Sequence, residues 1–278
     1  MKVRRPTSLA FPAVLVLGDS QALGYMLPFG ETFAAALARR LRGDPAAARI
    51  LASPASDVEA CLFALRKYGP ARAGRPDLAV ICVNIANDFD EMYHGGQDGR
   101  GEETSALHDW LLRNSYLYMD SVLLMAHHLQ AERSPPGVAR VLYTLESDER
   151  VVMVDETVRV IRQLAGELHA AKDVVVLLVP ADYQVDPAEF QKYHRYYAPR
   201  QRFEYWASRA AELGEMLNVM EDYLDRRLKA AGLRVLRVDR VIAGRPVRQM
   251  FQPTDHHLTA QAHRLITDAI AREVHLAP

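Results

Sequence analysis

The chain has 278 residues, 49% of them hydrophobic, and its 34 lysines and arginines nearly balance its 35 aspartates and glutamates. This length is enough for one large α/β core, and a formal net charge of -1 provides no overall field that would attract nucleic acid or an anionic membrane. The balanced charge therefore favours a small neutral ligand. The two cysteines cannot form a framework of disulfides, so we expect core thiols.

The N-terminal segment resembles an export signal only briefly. Its apolar run from Leu9 to Leu17 leads directly into Gly18-Asp19-Ser20, with no small-residue cleavage site before it. No stretch of the sequence approaches the roughly 20 apolar residues that cross a bilayer. We therefore expect a cytoplasmic protein without a membrane span.

Strand-like and helix-like segments alternate along the chain. Apolar runs of strand length occupy residues 13–17, 49–52, 76–84, 173–179 and 233–238. Helical patterns occupy residues 31–41, 57–67 and 207–230, and another begins near Thr259. Strands that alternate with helices predict a mainly parallel five-stranded sheet with helices on both faces, which is a three-layer α/β/α fold.

A long excursion, residues 94–172, separates the third and fourth predicted strands. It begins with a polar, glycine-rich loop, continues through an apolar helical stretch at 107–129 and closes with a helix from about Asp148. A simple crossover between parallel strands needs far less chain. We expect a single domain over residues 1–278, with a helical insertion at about 94–172 that could cover the carboxyl edge of the sheet.

Polar residues follow the predicted strand ends, where open parallel sheets bind their ligands. Ser20 follows the first strand, a turn containing Ala55 follows the second, and Asn87 follows the third. Asp255 and His257 follow the last strand. Acyl transfer requires a hydroxyl, a base, a carboxylate that orients the base, and donors for the oxyanion.

The types of these residues match that requirement one for one. Ser20 is predicted to attack an ester carbonyl, His257 to carry the proton and Asp255 to orient His257. The side chain of Asn87 and the backbone N–H groups of Ser20 and Ala55 are predicted to hold the oxyanion. This chemistry needs neither a metal nor another cofactor.

The same segments resemble the blocks of the GDSL or SGNH hydrolases. Ser20 matches the first block, Asn87 the third, and His257 with Asp255 the last, in a branch with Asp-x-His there. The likeness extends to "GETFAAALARRL" and "DHHLTAQAHRL". The resemblance implies a flavodoxin-like sheet and a serine esterase or acyl hydrolase that cleaves a carboxylic ester, such as a small O-acyl group on a carbohydrate or metabolite.

The chain departs from that family at two glycines. The glycine usual in the second block is replaced by Ala55 or Ser56, and the one usual before the asparagine is replaced by Ile85. Replacing the second-block glycine preserves a backbone N–H, but glycine adopts conformations that other residues do not, so the direction of that N–H no longer follows from the family pattern. A binding module without turnover is therefore one alternative, and an O-acyltransferase that passes the acyl group to a sugar hydroxyl is another.

The sequence allows three further interpretations. Asp255-His256-His257 also resembles the Asp-His-His signature of manganese phosphoesterases, for which Asp19, Asp57 and Asp88 are the early aspartates available. Aspartate and serine are also ordinary helix caps and turn formers. The basic and aromatic segment at 192–206 could stack on nucleic acid, but its acidic neighbours favour a helical connection or a pocket wall.

Overall fold

The computed structural model describes residues 12–52, 57–68, 75–85, 88, 147–168, 171–196 and 200–276. Its parallel sheet is built from five strands: β1 (Val14–Gly18), β2 (Ala48–Ala52), β3 (Leu78–Asn84), β4 (Asp173–Val179) and β5 (Arg234–Arg237). The strand order is β2-β1-β3-β4-β5, which is the flavodoxin-like order. The predicted parallel five-stranded sheet is confirmed.

The pairing register places the strand ends along one edge. Gly18 pairs with Ala52 on the neighbouring strand, and Asn84 pairs with Val179. The carboxyl ends of β1, β2, β3 and β4 therefore open at the same side of the sheet.

Helices cover both faces of this sheet. Successive strand residues point to opposite faces, so Val14 and Val16 belong to one apolar core and Leu15 and Leu17 to the other. The first core is closed by α2 (Phe33–Arg42), α8 (Val238–Ile242) and α10 (Ala260–Glu273). The second is closed by α3 (Val58–Tyr68), α4 (Ser147–Glu167) and α7 (Ala210–Ala230). The three-layer α/β/α arrangement is confirmed.

Short helices connect these layers. They are α1 (Ser20–Leu23), α5 (Asp182–Val185), α6 (Arg200–Ala207) and α9 (Val247–Met250), with 3-10 turns at Phe29–Glu31, Pro45–Ala47 and Pro187–Tyr196. The described parts of the basic and aromatic segment at 192–206 are thus helical, and its Trp206 is buried in the second core.

Two other expectations concern the insertion and the cysteines. Helix α4, near the end of the predicted insertion, packs in the second core, whereas the stretch at 107–129 lies outside the described residues. Cys61 and Cys82 are buried free thiols, as predicted. None of the described helices is both long enough and apolar enough to cross a membrane.

Candidate active site

Ser20 is positioned by a sharp turn at the end of β1. A Cβ on Gly18 would lie 2.7 Å from the Ala22 Cβ and 2.9 Å from the Cys82 Cβ, so only glycine fits between strand and helix. Asp19 then caps α1, because its Oδ1 accepts the Gln21 backbone N–H at 2.8 Å. The chain turns directly from strand into helix, and Ser20 is the first helical residue at the carboxyl edge.

The same Asp19 carboxylate joins two strand ends. Its Oδ2 accepts a hydrogen bond from the Asn84 side-chain amide at 2.7 Å, and the Asn84 backbone N–H donates to Asp88 Oδ2 at 3.0 Å. Burial raises the pKa of Asp19, and the hydrogen bonds from Asn84 and Gln21 oppose this effect. The ends of β1 and β3 are thereby tied together beside Ser20.

His257 lies in a loop between α9 and α10 that is stabilised by backbone hydrogen bonds across it. The Gln252 N–H donates to the His257 carbonyl at 2.8 Å, and the Thr259 N–H donates to the Met250 carbonyl at 2.9 Å. Thr259 also caps α10 by accepting the Ala262 N–H at 3.3 Å. The His257 imidazole therefore projects from a short loop whose ends are fixed by hydrogen bonds.

The three predicted catalytic side chains meet in one hydrogen-bonded chain. His257 Nε2 lies 2.8 Å from Ser20 Oγ, and His257 Nδ1 lies 2.9 Å from Asp255 Oδ1. Ser20 and His257 are each only 7% exposed. This is the geometry in which a base accepts a hydroxyl proton while a carboxylate fixes its tautomer.

Asp255 is held in its ionised form. Burial alone would raise its pKa, but the hydrogen bond to His257, the electrostatic interactions with the His256 and His257 imidazoles, and the His256 backbone N–H together lower the pKa well below its usual value. An ionised carboxylate in this position accepts the hydrogen bond from His257 Nδ1 and so fixes the tautomer of the imidazole.

Two rings contact the His257 imidazole. His256 stacks on it with a centroid separation of 4.4 Å and places its Nδ1 3.1 Å from Asp255 Oδ1. The Tyr25 ring lies 4.9 Å from it and is 42% exposed. The Tyr25 ring therefore lies beside His257 and remains open to solvent.

A metal ion would have to compete with these hydrogen bonds. Asp255, His256 and His257 are, among the described residues, the group of His, Cys, Asp or Glu whose ligand atoms all lie within 4.8 Å of one another. The early aspartates have other contacts: Asp19 bonds Gln21 and Asn84, and Asp57 Oδ1 accepts the Ala60 N–H at 2.7 Å. These aspartates cap helices or link strand ends, which accounts for them without a metal. The absence of a metal remains our prediction.

The structure also involves residues that sequence reasoning missed. The Gln21 side chain contacts the His257 loop and Asn84 contacts Asp19. A polar residue directly after Ser20, and another at the end of a buried strand, were the available signals. Ala55 and Asn87, predicted for the oxyanion hole, lie outside the described residues.

The chain matches no family model and no curated protein sequence. Among solved structures it is similar to LAE5, an alpha/beta hydrolase enzyme from the metagenome of Lake Arreo, Spain, with 14% identity and a TM-score of 0.47 over 95% of this chain and 94% of that one.

Two further solved structures are similar at comparable levels. A member of the lipolytic protein G-D-S-L family from Veillonella parvula has 10% identity and a TM-score of 0.46, over 94% of this chain and 96% of that one. The lipase/acylhydrolase from Enterococcus faecalis has 16% identity and a TM-score of 0.45, over 95% and 97% of the two chains. The three-layer fold itself is established by the order and register of the five strands.

Proposed function

We propose that this chain is a serine esterase of the SGNH or GDSL type, which cleaves a carboxylic ester through an acyl-enzyme on Ser20. The observation that carries the proposal is the continuous chain from Ser20 Oγ through His257 to Asp255, with contacts of 2.8 Å and 2.9 Å. A serine hydroxyl is a weak nucleophile until a base within hydrogen-bond distance takes its proton.

The first half-reaction forms the acyl-enzyme. Ser20 Oγ attacks the ester carbonyl carbon while its proton moves to His257 Nε2, and the carbonyl oxygen becomes negative. The imidazolium is stabilised by Asp255, whose carboxylate accepts the Nδ1 proton in a hydrogen bond. The tetrahedral intermediate then releases the alcohol, which takes the proton from His257.

The second half-reaction restores the enzyme. A water molecule attacks the acyl carbon and gives one proton to His257, and the intermediate releases the carboxylic acid as Ser20 takes that proton back. In both halves the oxyanion needs donors. The proposed donors are the backbone N–H of Ser20, the backbone N–H of Ala55 and the side chain of Asn87.

A fluorophosphonate probe tests the nucleophile directly. We expect the probe to label the wild type but not a folded Ser20→Ala variant. A Ser208→Ala variant is the control and should still be labelled, because the Ser208 hydroxyl of the wild type is exposed and donates to the Tyr205 carbonyl. If correctly folded wild type is not labelled, the chain is a binding module and the proposal is wrong.

Graded substrates then separate hydrolysis from transfer. Hydrolysis of p-nitrophenyl esters of increasing acyl length measures which acyl group is accepted. The same reaction with sugar acceptors measures whether the acyl group passes to a hydroxyl. A free acid as the main product supports the esterase, whereas an acylated sugar as the main product shows an O-acyltransferase.

A further inference from the structure

Gln21 is the residue directly after Ser20, and its side chain is almost completely buried, at 2% exposure. Its Nε2 donates to the His256 carbonyl at 3.0 Å, and its Oε1 accepts the Leu258 backbone N–H at 3.1 Å. These two partners lie on either side of His257 in the chain. One amide therefore brackets the residue that carries the proposed base.

The geometry points to Gln21 as a positioning residue that holds the His257 loop in register with Ser20. This inference rests on the proposed function, because the Ser20–His257 contact affects a rate only if His257 accepts the Ser20 proton. Ser20 and Gln21 are successive residues of α1, so the nucleophile and the clamp move together. The His257 loop lies more than 230 residues away in sequence and is fastened to that helix at two backbone atoms.

The two bonds restrain the direction in which the imidazole points. The His256 carbonyl and the Leu258 N–H belong to the peptide units adjoining His257, so fixing both limits rotation of the His257 backbone. The 2.8 Å contact between His257 Nε2 and Ser20 Oγ depends on that rotation. A displacement of about 1 Å in such a contact costs on the order of 10²-fold in rate.

A purely structural role makes a different prediction. A buried amide must be hydrogen-bonded at both ends, so losing it lowers stability wherever it lies. Gln184 provides the matched control, since it is 7% exposed and its amide bonds Asn218 on α7 at 2.9 Å. If Gln21 only fills the core, Gln21→Met and Gln184→Met should have the same kind of effect.

The test compares Gln21→Met, Gln21→Asn and Gln184→Met with the wild type. We measure kcat per probe-titrated site, KM for p-nitrophenyl acetate, and Tm. Gln21→Met should lower kcat about 10- to 100-fold with little change in KM. Gln21→Asn keeps both polar groups on a shorter chain and should lose less. Gln184→Met should lower Tm and leave kcat per site unchanged.

Two results would overturn the inference while leaving the esterase proposal intact. One is an active wild type with normal kcat per site in Gln21→Met, or in Gln21→Asn if the first variant does not fold. The other is an equal loss of kcat in Gln184→Met. Either result would show that the Gln21 hydrogen bonds have no specific effect on kcat, and neither would contradict the proposed role of Ser20.

A proton NMR measurement reads the clamp without any substrate. The proton on His257 Nδ1, shared with Asp255, should give a far-downfield resonance that is sharp in the wild type and broadened by exchange in Gln21→Met. An unchanged resonance contradicts the inference. If the resonance broadens but the wild type hydrolyses no ester, the positioning role stands and the esterase proposal fails.

Discussion

Replacing Asp255 by asparagine should remove a charge while keeping the tautomer of His257. Asp255 Oδ1 accepts two hydrogen bonds, one from His257 Nδ1 at 2.9 Å and one from the His256 backbone N–H at 2.6 Å. A backbone N–H can only donate, so it favours the amide oxygen of an asparagine at that position. The variant therefore still presents an acceptor to His257 Nδ1, and Nε2 still accepts from Ser20.

The size of the effect follows from the lost charge. When Ser20 attacks, a positive charge forms on His257 next to the carboxylate. Opposite unit charges about 4 Å apart attract by roughly 4 kcal/mol at an effective dielectric constant of about 20. This corresponds to about 10³-fold in rate. Asp255→Asn should thus lower kcat about 10³-fold, whereas Asp255→Ala, which also removes the acceptor, should lower it by about 10⁴-fold or more.

The assay is hydrolysis of p-nitrophenyl acetate at neutral pH, normalised to probe-titrated sites so that unfolded protein does not contribute. Equal losses in Asp255→Asn and Asp255→Ala would show that the amide oxygen does not take the place of Oδ1. Near wild-type rates in Asp255→Asn would show that the carboxylate does not stabilise the imidazolium. Either result refutes the reasoning.

Four other perturbations have defined outcomes. Ser20→Ala and His257→Ala should each lower kcat by about 10⁴-fold or more, with the double variant little worse than either, and additive losses would contradict a unit that acts together. His256→Ala should keep most of the activity, whereas loss of activity there with retention in His257→Ala would place the base at His256. EDTA should have no effect on activity, and a loss that Mn²⁺ restores would support a metal site. Burial lowers the pKa of His263 from 6.5 to about 4. The unfolded state therefore binds a proton more readily than the folded state. The contribution of neutral His263 to the free energy of unfolding should be complete above pH 6.5, and about 3 kcal/mol of it should be lost as the pH falls from 6.5 to 4. Urea denaturation across this range checks it, and His263→Gln should show a flatter dependence.

The strands were predictable from their continuous apolar runs. Residues 173–179 were predicted as a strand, and β4 occupies Asp173–Val179, because a continuous apolar run suits a strand covered by helices on both sides. The helix predicted at 31–41 begins instead at Phe33, because Thr32 caps it by accepting the Ala35 N–H. Its first predicted residue belongs to a preceding 3-10 turn. Strand positions thus followed from composition, whereas this helix boundary depended on a cap.

The proximity of Ser20, His257 and Asp255 was predictable because parallel topology brings strand ends together. Ser20 and His257 are 237 residues apart, yet each follows a strand that opens at the same edge. The partners of Gln21 and Asn84 were not predictable in this way. A glutamine or asparagine amide pairs with almost any polar group, so its partner is decided by packing rather than by type or spacing.

The roles of two carboxylates near His257 can be separated by their surroundings. Asp19 is 1% exposed and burial raises its pKa, whereas the contacts of Asp255 with His256 and His257 lower its pKa. Both carboxylates interact electrostatically with His257, but only Asp255 forms a hydrogen bond with its Nδ1. Asp19 instead uses both oxygens to fix α1 and the end of β3. These surroundings support the proposed role of Asp255 in stabilising the imidazolium and place Asp19 in the turn that presents Ser20, because paired acids whose pKa values are pushed apart take different roles.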